Sequence, residues 1–423
     1  MPDEKQKYGI HKYFKNLFCP HRLVTIFIVV SFLLKVAMIL YYGNAFTFNS
    51  DDENYIRTAR ILLEKHSLVY YNVNEPTVFI TPVFPIFVAT IFRIFGSGFV
   101  GLQAARIAQA VLSSFTLLYI YLIAKHMFDS KTSVAATFIA AFYPPNIVTV
   151  GYFLTETVFA FLLYALIYHF ICATRQDKIA PYICCGMIWG VATLCRPVIA
   201  LLPGVFYFYE MFIRKVDFRR AFKTGMVMLI AGVVVLSPWW IRNFAVFGEF
   251  IPLSESSGNP MLQGTYINYD QSNPTIYKMQ PTERAQNKEE LRVAKKRMAE
   301  GFKNNTLAYI SWYTLGKTIY LWAAPFYWKE FLGITRFSVN LIHGVIITGF
   351  IGMILCVIRD FRRYSFYALI LLYFNVSYCV YLTFDRYGYP LMPIVIIFFA
   401  QFIIHLLSSL IELMKANSKG IIY

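Results

Sequence analysis

The segment LVTIFIVVSFLLKVAMILYY at residues 23–42, followed by GNAFTFNSDDEN at 43–54, decides the class of this protein. Twenty largely apolar residues are the length a helix needs to cross a hydrocarbon core about 30 Å thick at about 1.5 Å per residue. The run is too long for the apolar region of a signal peptide, and no small-residue cleavage site follows it. Preceded by Lys5, Lys7, Lys12, Lys15 and Arg22, it is expected to be a retained first membrane span.

Nine more stretches approach that length, at 102–124, 133–150, 152–172, 180–195, 197–213, 225–241, 336–358, 366–383 and 390–412. The expectation is an all-α polytopic membrane protein with about ten transmembrane helices. The segments 180–195 and 197–213 are short and meet at Arg196-Pro197, so a single broken hairpin is the alternative there. Composition agrees. Of 423 residues, 58% are hydrophobic and only 15% charged, against about 25% charged in ordinary soluble domains, which excludes a string of soluble domains and excludes disorder. The formal charge of +16 needs no nucleic acid to explain it, because cytoplasmic loops of membrane proteins collect Lys and Arg. The seven cysteines lie almost entirely in apolar stretches, with no zinc-like spacing, so neither a disulfide nor a metal cluster is expected.

The cations set the expected orientation. The N-terminus (1–22), Lys125 and Lys131, Arg175 and Lys178, the group from Arg214 to Lys223, Arg359 with Arg362 and Arg363, and the C-terminal 413–423 fall on one side. That side is read as cytoplasmic. The two long polar connections, 43–101 and 243–335, then lie outside the cell membrane, and loops of such length are usually functional. In the first, residues 54–65 and 79–95 read as helices lying in the interface. In the second, 282–302 has an amphipathic helical pattern, read as a solvated face over headgroups or as acceptor contact. The aromatic run 309–328 reads as interfacial packing, with Trp239, Trp240 and Trp312 available for stacking on sugars.

Ser50-Asp51-Asp52-Glu53 places three carboxylates in a row just beyond the first span. Helix capping accounts for one or two acids, since the helix dipole favours anions in the first turn; a general base or a cation-binding pair accounts for the rest. Glu156, at the external start of a span, is costly there unless paired, and is read either as a functional acid or as a polar contact to a neighbouring helix. Arg196, Arg242 and Arg386 each stand at the external end of a span. Each alone would snorkel to headgroups, but together they can hold a phosphate in bidentate fashion. Carboxylates beside guanidinium groups point to a phosphate-linked donor and a hydroxyl or amine acceptor.

These residues, in this order, resemble the prokaryotic branch of the protein O-mannosyltransferase superfamily, of the glycosyltransferase C fold that also includes the lipid A aminoarabinose transferase. The resemblance rests on Asp51-Asp52-x-x-Tyr55-x-x-x-Ala59, Pro82-Val-Phe-Pro85, Ala105-Arg106, Leu154-Thr155-Glu156, Arg196-Pro197, Pro238-Trp-x-x-Arg242-Asn243 continuing to Pro252, and Arg386-Tyr-x-x-Pro390-x-x-Pro393. It implies an enzyme that takes a hexosyl or pentosyl group from a polyprenyl-phosphate sugar and transfers it, on the extracytoplasmic side, to a protein, lipid or polysaccharide. It makes Asp51 the catalytic acid, with Asp52 and Glu156 as further acids, and Tyr55 part of the donor site. Relatives often carry a cation before the proline pair of the first loop; Ile80-Thr81-Pro82 stands here, so Arg196, Arg242, Arg386 or Lys317 would take over the phosphate. The chain ends soon after the tenth span, which leaves acceptor recognition to 243–335. No resident cofactor is expected, with a divalent cation such as magnesium as the second option. The alternative class is a transporter or flippase of lipid-linked sugars, for which two similar halves and midplane charges are expected and not found in the sequence.

Overall fold

The computed structural model describes residues 20–176, 178–272 and 274–420, with the side chains of 416–420 left aside. The N-terminal cations up to Lys15 and the last residues, 421–423, lie outside the described residues. In chain order the helices are α1 (Pro20–Tyr42), α2 (Asp51–Lys65), α3 (Val83–Phe95), α4 (Phe99–Met127), α5 (Ser130–Phe142), α6 (Pro144–Val148), α7 (Glu156–Ala173), α8 (Ala180–Thr193), α9 (Leu202–Phe208) and α10 (Phe218–Phe247). They continue as α11 (Gly258–Gly264), α12 (Glu283–Asn304), α13 (Thr306–Ser311), α14 (Lys317–Trp322), α15 (Arg336–Ile346), α16 (Gly349–Arg359), α17 (Phe361–Cys379), α18 (Asp385–Gly388) and α19 (Met392–Gly420). Among the described residues the only β pairing is an isolated bridge between Phe331 and Ile334.

Each of the ten apolar stretches is helical. Among the described residues, six continuous helical units are long and apolar enough to cross a membrane, beginning at Pro20, Phe99, Glu156, Phe218, Arg336 and Asp385. The stretch 133–150 is in two pieces, α5 and α6, bent by 60°, and adds a seventh only if the bent pair is one span. The bend follows from Tyr143-Pro144-Pro145: a residue before proline is driven out of the helical region, and Tyr143 has φ −65° and ψ 118°. The stretches 180–195 and 197–213 are separate short apolar helices, and 366–383 lies in the 19-residue α17.

Small residues set the closest packing. A Cβ at Gly186 would lie 2.2 Å from the Met228 carbonyl oxygen, and one at Gly190 would lie 2.7 Å from Val235, so α8 and α10 approach closely only because both are glycine. This small-xxx-small spacing is a common solution for helices in lipid, where apolar burial alone drives no association.

The first loop belongs to the main core. Phe84, Val88 and Phe92 of α3 are buried with residues of the long helices, while Ile86, Ile94 and Phe95 on its other face are exposed. The second loop holds the 22-residue helix α12, capped by Thr282, whose hydroxyl accepts from the Ala285 amide at 3.2 Å. With α11 it closes a small core of its own around Leu262, Tyr266, Val293 and Ala294. The three tryptophans named above fasten loops: Trp239 donates to the Leu253 carbonyl, Trp240 to that of Pro252 and Trp312 to that of Gly264.

Candidate active site

The acidic run divides its labour between neighbours. Asn49 takes a left-handed backbone (φ 55°), which asparagine tolerates better than most residues, and turns the chain into α2. Ser50 is the N-cap, yet its side chain caps nothing; the buried Asp52 reaches back instead, its carboxylate accepting from the Phe48 amide at 2.7 Å and the Ser50 amide at 3.1 Å. Consecutive helical side chains point about 100° apart. Asp51 therefore faces elsewhere, and its carboxylate receives the Tyr70 hydroxyl at 3.1 Å and the Arg386 guanidinium at 2.9 Å.

Arg386 joins two distant parts of the chain. Its NH1 meets Asp51 Oδ2, and its Nε meets Glu156 Oε1 at 2.5 Å, so carboxylates from α2 and α7 converge on one guanidinium. Arg196 NH1 completes the group at 2.9 Å from the same Glu156 oxygen. The Glu156 side chain has no solvent exposure, whereas that of Asp51 is 40% exposed. Glu156 Oε2 has no hydrogen-bond partner among the described residues, although it is buried. Buried acceptors are normally satisfied, so this oxygen is open to a donor from a ligand.

Local sequence holds each member in place. Glu156 begins α7, where the helix dipole favours an anion. Arg196 precedes Pro197 and is accordingly extended, with φ −145° and ψ 112°. The preceding strand of chain is pinned to the first loop, since the Val83 amide donates to Leu194 O and the Thr81 hydroxyl to Cys195 O. The Arg196 guanidinium lies between the rings of Phe159 (5.5 Å) and Tyr387 (5.1 Å). Arg386 rides on the short α18, which packs against α14 so tightly that a Cβ at Gly388 would lie 2.4 Å from the Leu321 carbonyl oxygen. Asp385, beside it, does not neutralise Arg386 by its side chain; it accepts from Trp328 Nε1 at 2.9 Å and from the Arg386 amide.

Tyr55 is four residues beyond Asp51 on the same face of α2, its ring 5.5 Å from that of Tyr70 and 4.9 Å from Phe84. Burial, together with the Asp51 charge, pushes the Tyr55 hydroxyl above its ordinary range; burial does the same for Tyr70, with Tyr55 and Asp51 adding to it. Tyr70 therefore remains a proton donor toward Asp51.

Arg242 and Lys317 make their contacts elsewhere. Arg242 donates to the Thr77 carbonyl at 2.9 Å and to Asn243 Oδ1, its guanidinium over Trp239 and Phe247. Lys317 Nζ donates to the carbonyls of Cys379 and Tyr381 at 2.9 and 3.0 Å and lies 3.7 Å from the centre of the Tyr313 ring. Burial pulls its ammonium down to about 7, which makes it a less dependable positive charge at neutral pH than a guanidinium.

Three residues that the local pattern did not single out for the site support it. Arg106, buried in α4, donates to the carbonyls of Gly43 (2.8 Å), Phe46 (2.8 Å) and Gly151 (2.9 Å), so one side chain ties the chain leading to Asp51 to the chain leading to Glu156. Tyr70 holds Asp51. Glu283, at the start of α12, accepts from the amides of Tyr71 and Asn72 at 3.0 Å each and from the Thr77 hydroxyl at 2.6 Å, latching the second loop onto the first. Only Arg106 left a trace in the sequence, as a charge within an apolar helix.

Among the described residues no three His, Cys, Asp or Glu side chains gather where they could hold a metal ion. Asp52 is turned to backbone amides, and the space between Asp51 and Glu156 is filled by a guanidinium.

Residues 76–241 match the family model described as dolichyl-phosphate-mannose-protein mannosyltransferase. The whole helical arrangement matches the oligosaccharyltransferase of Archaeoglobus fulgidus in the apo form, with a TM-score of 0.60 at 13% identity over 97% of this chain and 52% of that one. It matches ArnT from Cupriavidus metallidurans bound to undecaprenyl phosphate, with a TM-score of 0.58 at 14% identity over 89% of this chain and 59% of that one. The fold is of glycosyltransferase C type. The archaeal oligosaccharyltransferase AglB of Archaeoglobus fulgidus, in complex with an inhibitory peptide and a dolichol-phosphate, superposes with a TM-score of 0.59 at 12% identity over 94% of this chain and 52% of that one. The chain thus spans little more than half the length of the solved glycosyltransferase C structures it matches. No curated protein matches the sequence.

Proposed function

We propose that the protein is an integral membrane glycosyltransferase that moves a hexosyl or pentosyl group from a polyprenyl-phosphate sugar to a hydroxyl or amine of a protein, lipid or polysaccharide acceptor. The site would lie at the extracytoplasmic surface, with both termini cytoplasmic. The observation that carries this reading is the convergence of Asp51 and Glu156, 105 positions apart, on the guanidinium of Arg386, with Arg196 beside them.

The group is balanced, two carboxylates against two guanidinium groups. Asp51, the more exposed acid, is placed to take the acceptor proton as general base. As the acceptor attacks the anomeric carbon, the bond from that carbon to the phosphate oxygen breaks, and its electron pair leaves with the polyprenyl phosphate, which gains one negative charge. The proton arriving on Asp51 neutralises it and releases Arg386 from that ion pair at the moment the charge on the phosphate grows. Arg386 and Arg196 then stabilise the leaving group, an electrostatic contribution of the kind that is often the largest in such reactions. Glu156 fixes both guanidinium groups through one oxygen and offers the other to a sugar or acceptor hydroxyl. The scheme needs no metal ion. The undecaprenyl phosphate and dolichol-phosphate bound by proteins of this fold support a polyprenyl carrier, and nothing in them supports a transporter.

Reconstitution with a panel of polyprenyl-phosphate sugars, comparing wild type with Asp51→Asn, tests the proposal. Turnover with one donor and at least about a hundredfold loss in the variant, on the order of 3 kcal/mol of barrier, is expected. Equal turnover by the two proteins would remove Asp51 from the role of base.

A further inference from the structure

The helix that starts at Glu156 ends, roughly 27 Å away at 1.5 Å per residue, beside a cavity of about 500 Å³ at the opposite end of the bundle. Arg175, Arg214, Arg362 and Arg363 line it, against two carboxylates, Glu210 and Asp360. The four guanidinium groups come from separate places in the chain: the turn after α7, the turn before α10 and the first turn of α17.

Three of the four charges are not cancelled by a neighbouring carboxylate. Arg214 pairs with Glu210 at 2.9 Å. Arg175 instead approaches His126 Nε2 at 3.0 Å, Arg363 donates to the His126 carbonyl at 3.3 Å, and Arg362 donates to the Ile213 carbonyl at 3.3 Å. These neutral acceptors orient the guanidinium groups without neutralising them. Asp360 spends its carboxylate on the Arg363 amide at 3.1 Å, as the cap of α17. Arg362 and Arg363 also occupy the first turn of that helix, where the dipole favours an anion rather than a cation. A second anion would relieve both mismatches.

Part of the wall is apolar, beside the polar side chains of His126, Thr174, Tyr209 and Tyr367. Phe170 and Phe366 lie parallel at its base, 6.0 Å apart, with Met127 and Ile171 alongside. A solvated basic patch needs neither a concave volume nor an aromatic floor. A ligand with a phosphate at one end and hydrocarbon at the other uses both, since guanidinium groups bind phosphate bidentately and the aromatic floor accepts methylene groups. We propose that this cavity binds the phosphate headgroup of an anionic phospholipid, with Arg175, Arg214, Arg362 and Arg363 as its donors. The site is remote from the acid–arginine group and does not depend on the glycosyl-transfer reading.

The test uses the full chain, purified in a neutral detergent and titrated with phosphatidylglycerol, phosphatidylcholine or inorganic phosphate, with bound lipid counted by native mass spectrometry and thermal stability followed in parallel. Saturable binding of phosphatidylglycerol is expected, at least tenfold tighter than phosphatidylcholine and weakened by 1 M salt as screening requires. Arg175→Gln combined with Arg363→Gln should weaken it at least tenfold, and Arg359→Gln, outside the cavity lining, should leave it unchanged. Phosphatidylglycerol binding no better than phosphatidylcholine by the wild-type protein overturns the proposal without recourse to any variant. Equal loss in Arg359→Gln overturns it as well, in favour of general surface charge. Saturable stabilisation by inorganic phosphate, with no added gain from the lipid, assigns the cavity to a soluble anion and overturns the lipid assignment.

Discussion

The two long connections differ in where they are rooted. Residues 43–101 send Phe84, Val88 and Phe92 into the same core as the long helices, whereas the middle of 243–335 closes a separate core around Leu262, Tyr266, Val293 and Ala294. The carboxylate of Asp51 must keep its register with Glu156 and Arg386 to within tenths of an ångström, and it is mounted on the rigid part. The helix α12 of the second loop meets the first loop through Glu283, a polar contact able to break and re-form. On this view the first loop sets the rate and the second sets the capture of the acceptor.

The largest effect should come from the guanidinium shared by both acids. Arg386→Met leaves Glu156 wholly buried beside Arg196 alone and strips Asp51 of its ion pair. Breaking a buried pair from one side costs about 3–5 kcal/mol, so a large fall in melting temperature together with loss of turnover is expected. A variant with wild-type stability would mean that the acids do not depend on this residue. Next in size is Arg106→Met, which deprives the carbonyls of Gly43, Phe46 and Gly151 of their donor. Unsatisfied buried groups cost about 1–3 kcal/mol each, with relaxation recovering part of the sum. Thermal unfolding of the purified protein reads it, and an unchanged midpoint would show that the two chain segments leading to the acids are held together by other means.

Glu283→Gln separates the loops more gently. It weakens the contact of α12 with Tyr71, Asn72 and Thr77 but leaves the acid–arginine group untouched. The KM for the acceptor should rise several-fold, roughly tenfold at most for the loss of about 1.4 kcal/mol, while kcat stays within threefold of wild type. A fall in kcat comparable to that of Asp51→Asn would mean that the two loops act as one unit and would dissolve the contrast.

Much of the frame was legible from the chain because a membrane imposes length and apolarity on each span, and the ten apolar stretches are all helical. The breaks were harder to read. Residues 133–150 count as one apolar run, yet they contain two helices, α5 and α6, set at 60°, because hydropathy records transfer to lipid and not backbone direction. Asp51, Glu156, Arg196 and Arg386 stood out as charges at span ends, where charge is expensive, and the structure brings these four together. Only the resemblance ranked Asp51 above Asp52; the residue pattern itself did not, since which of two adjacent acids turns to the backbone depends on the Phe48 and Ser50 amides meeting Asp52 in three dimensions. The same holds for Glu283, read locally as one charge on a solvated helix face; its partners lie more than 200 residues earlier.

Lys317 gives the smallest effect, and its sign is fixed by the direction of its shift. In the folded protein burial lowers the ammonium from 10.5 to about 7, so between those values the unfolded chain holds a proton that the folded chain has released. Stability then rises with pH across that window, and the contribution is lost as pH falls toward 7. Lys317→Met has no such proton and should flatten the rise in melting temperature between pH 7 and 10 relative to wild type. Its turnover should remain within about threefold of wild type, because its contacts are the Cys379 and Tyr381 carbonyls and the Tyr313 ring rather than the acids. A loss of turnover as large as that of Arg386→Met, with the pH slope unchanged, would place Lys317 on the phosphate and shift the phosphate site from the first loop toward the second.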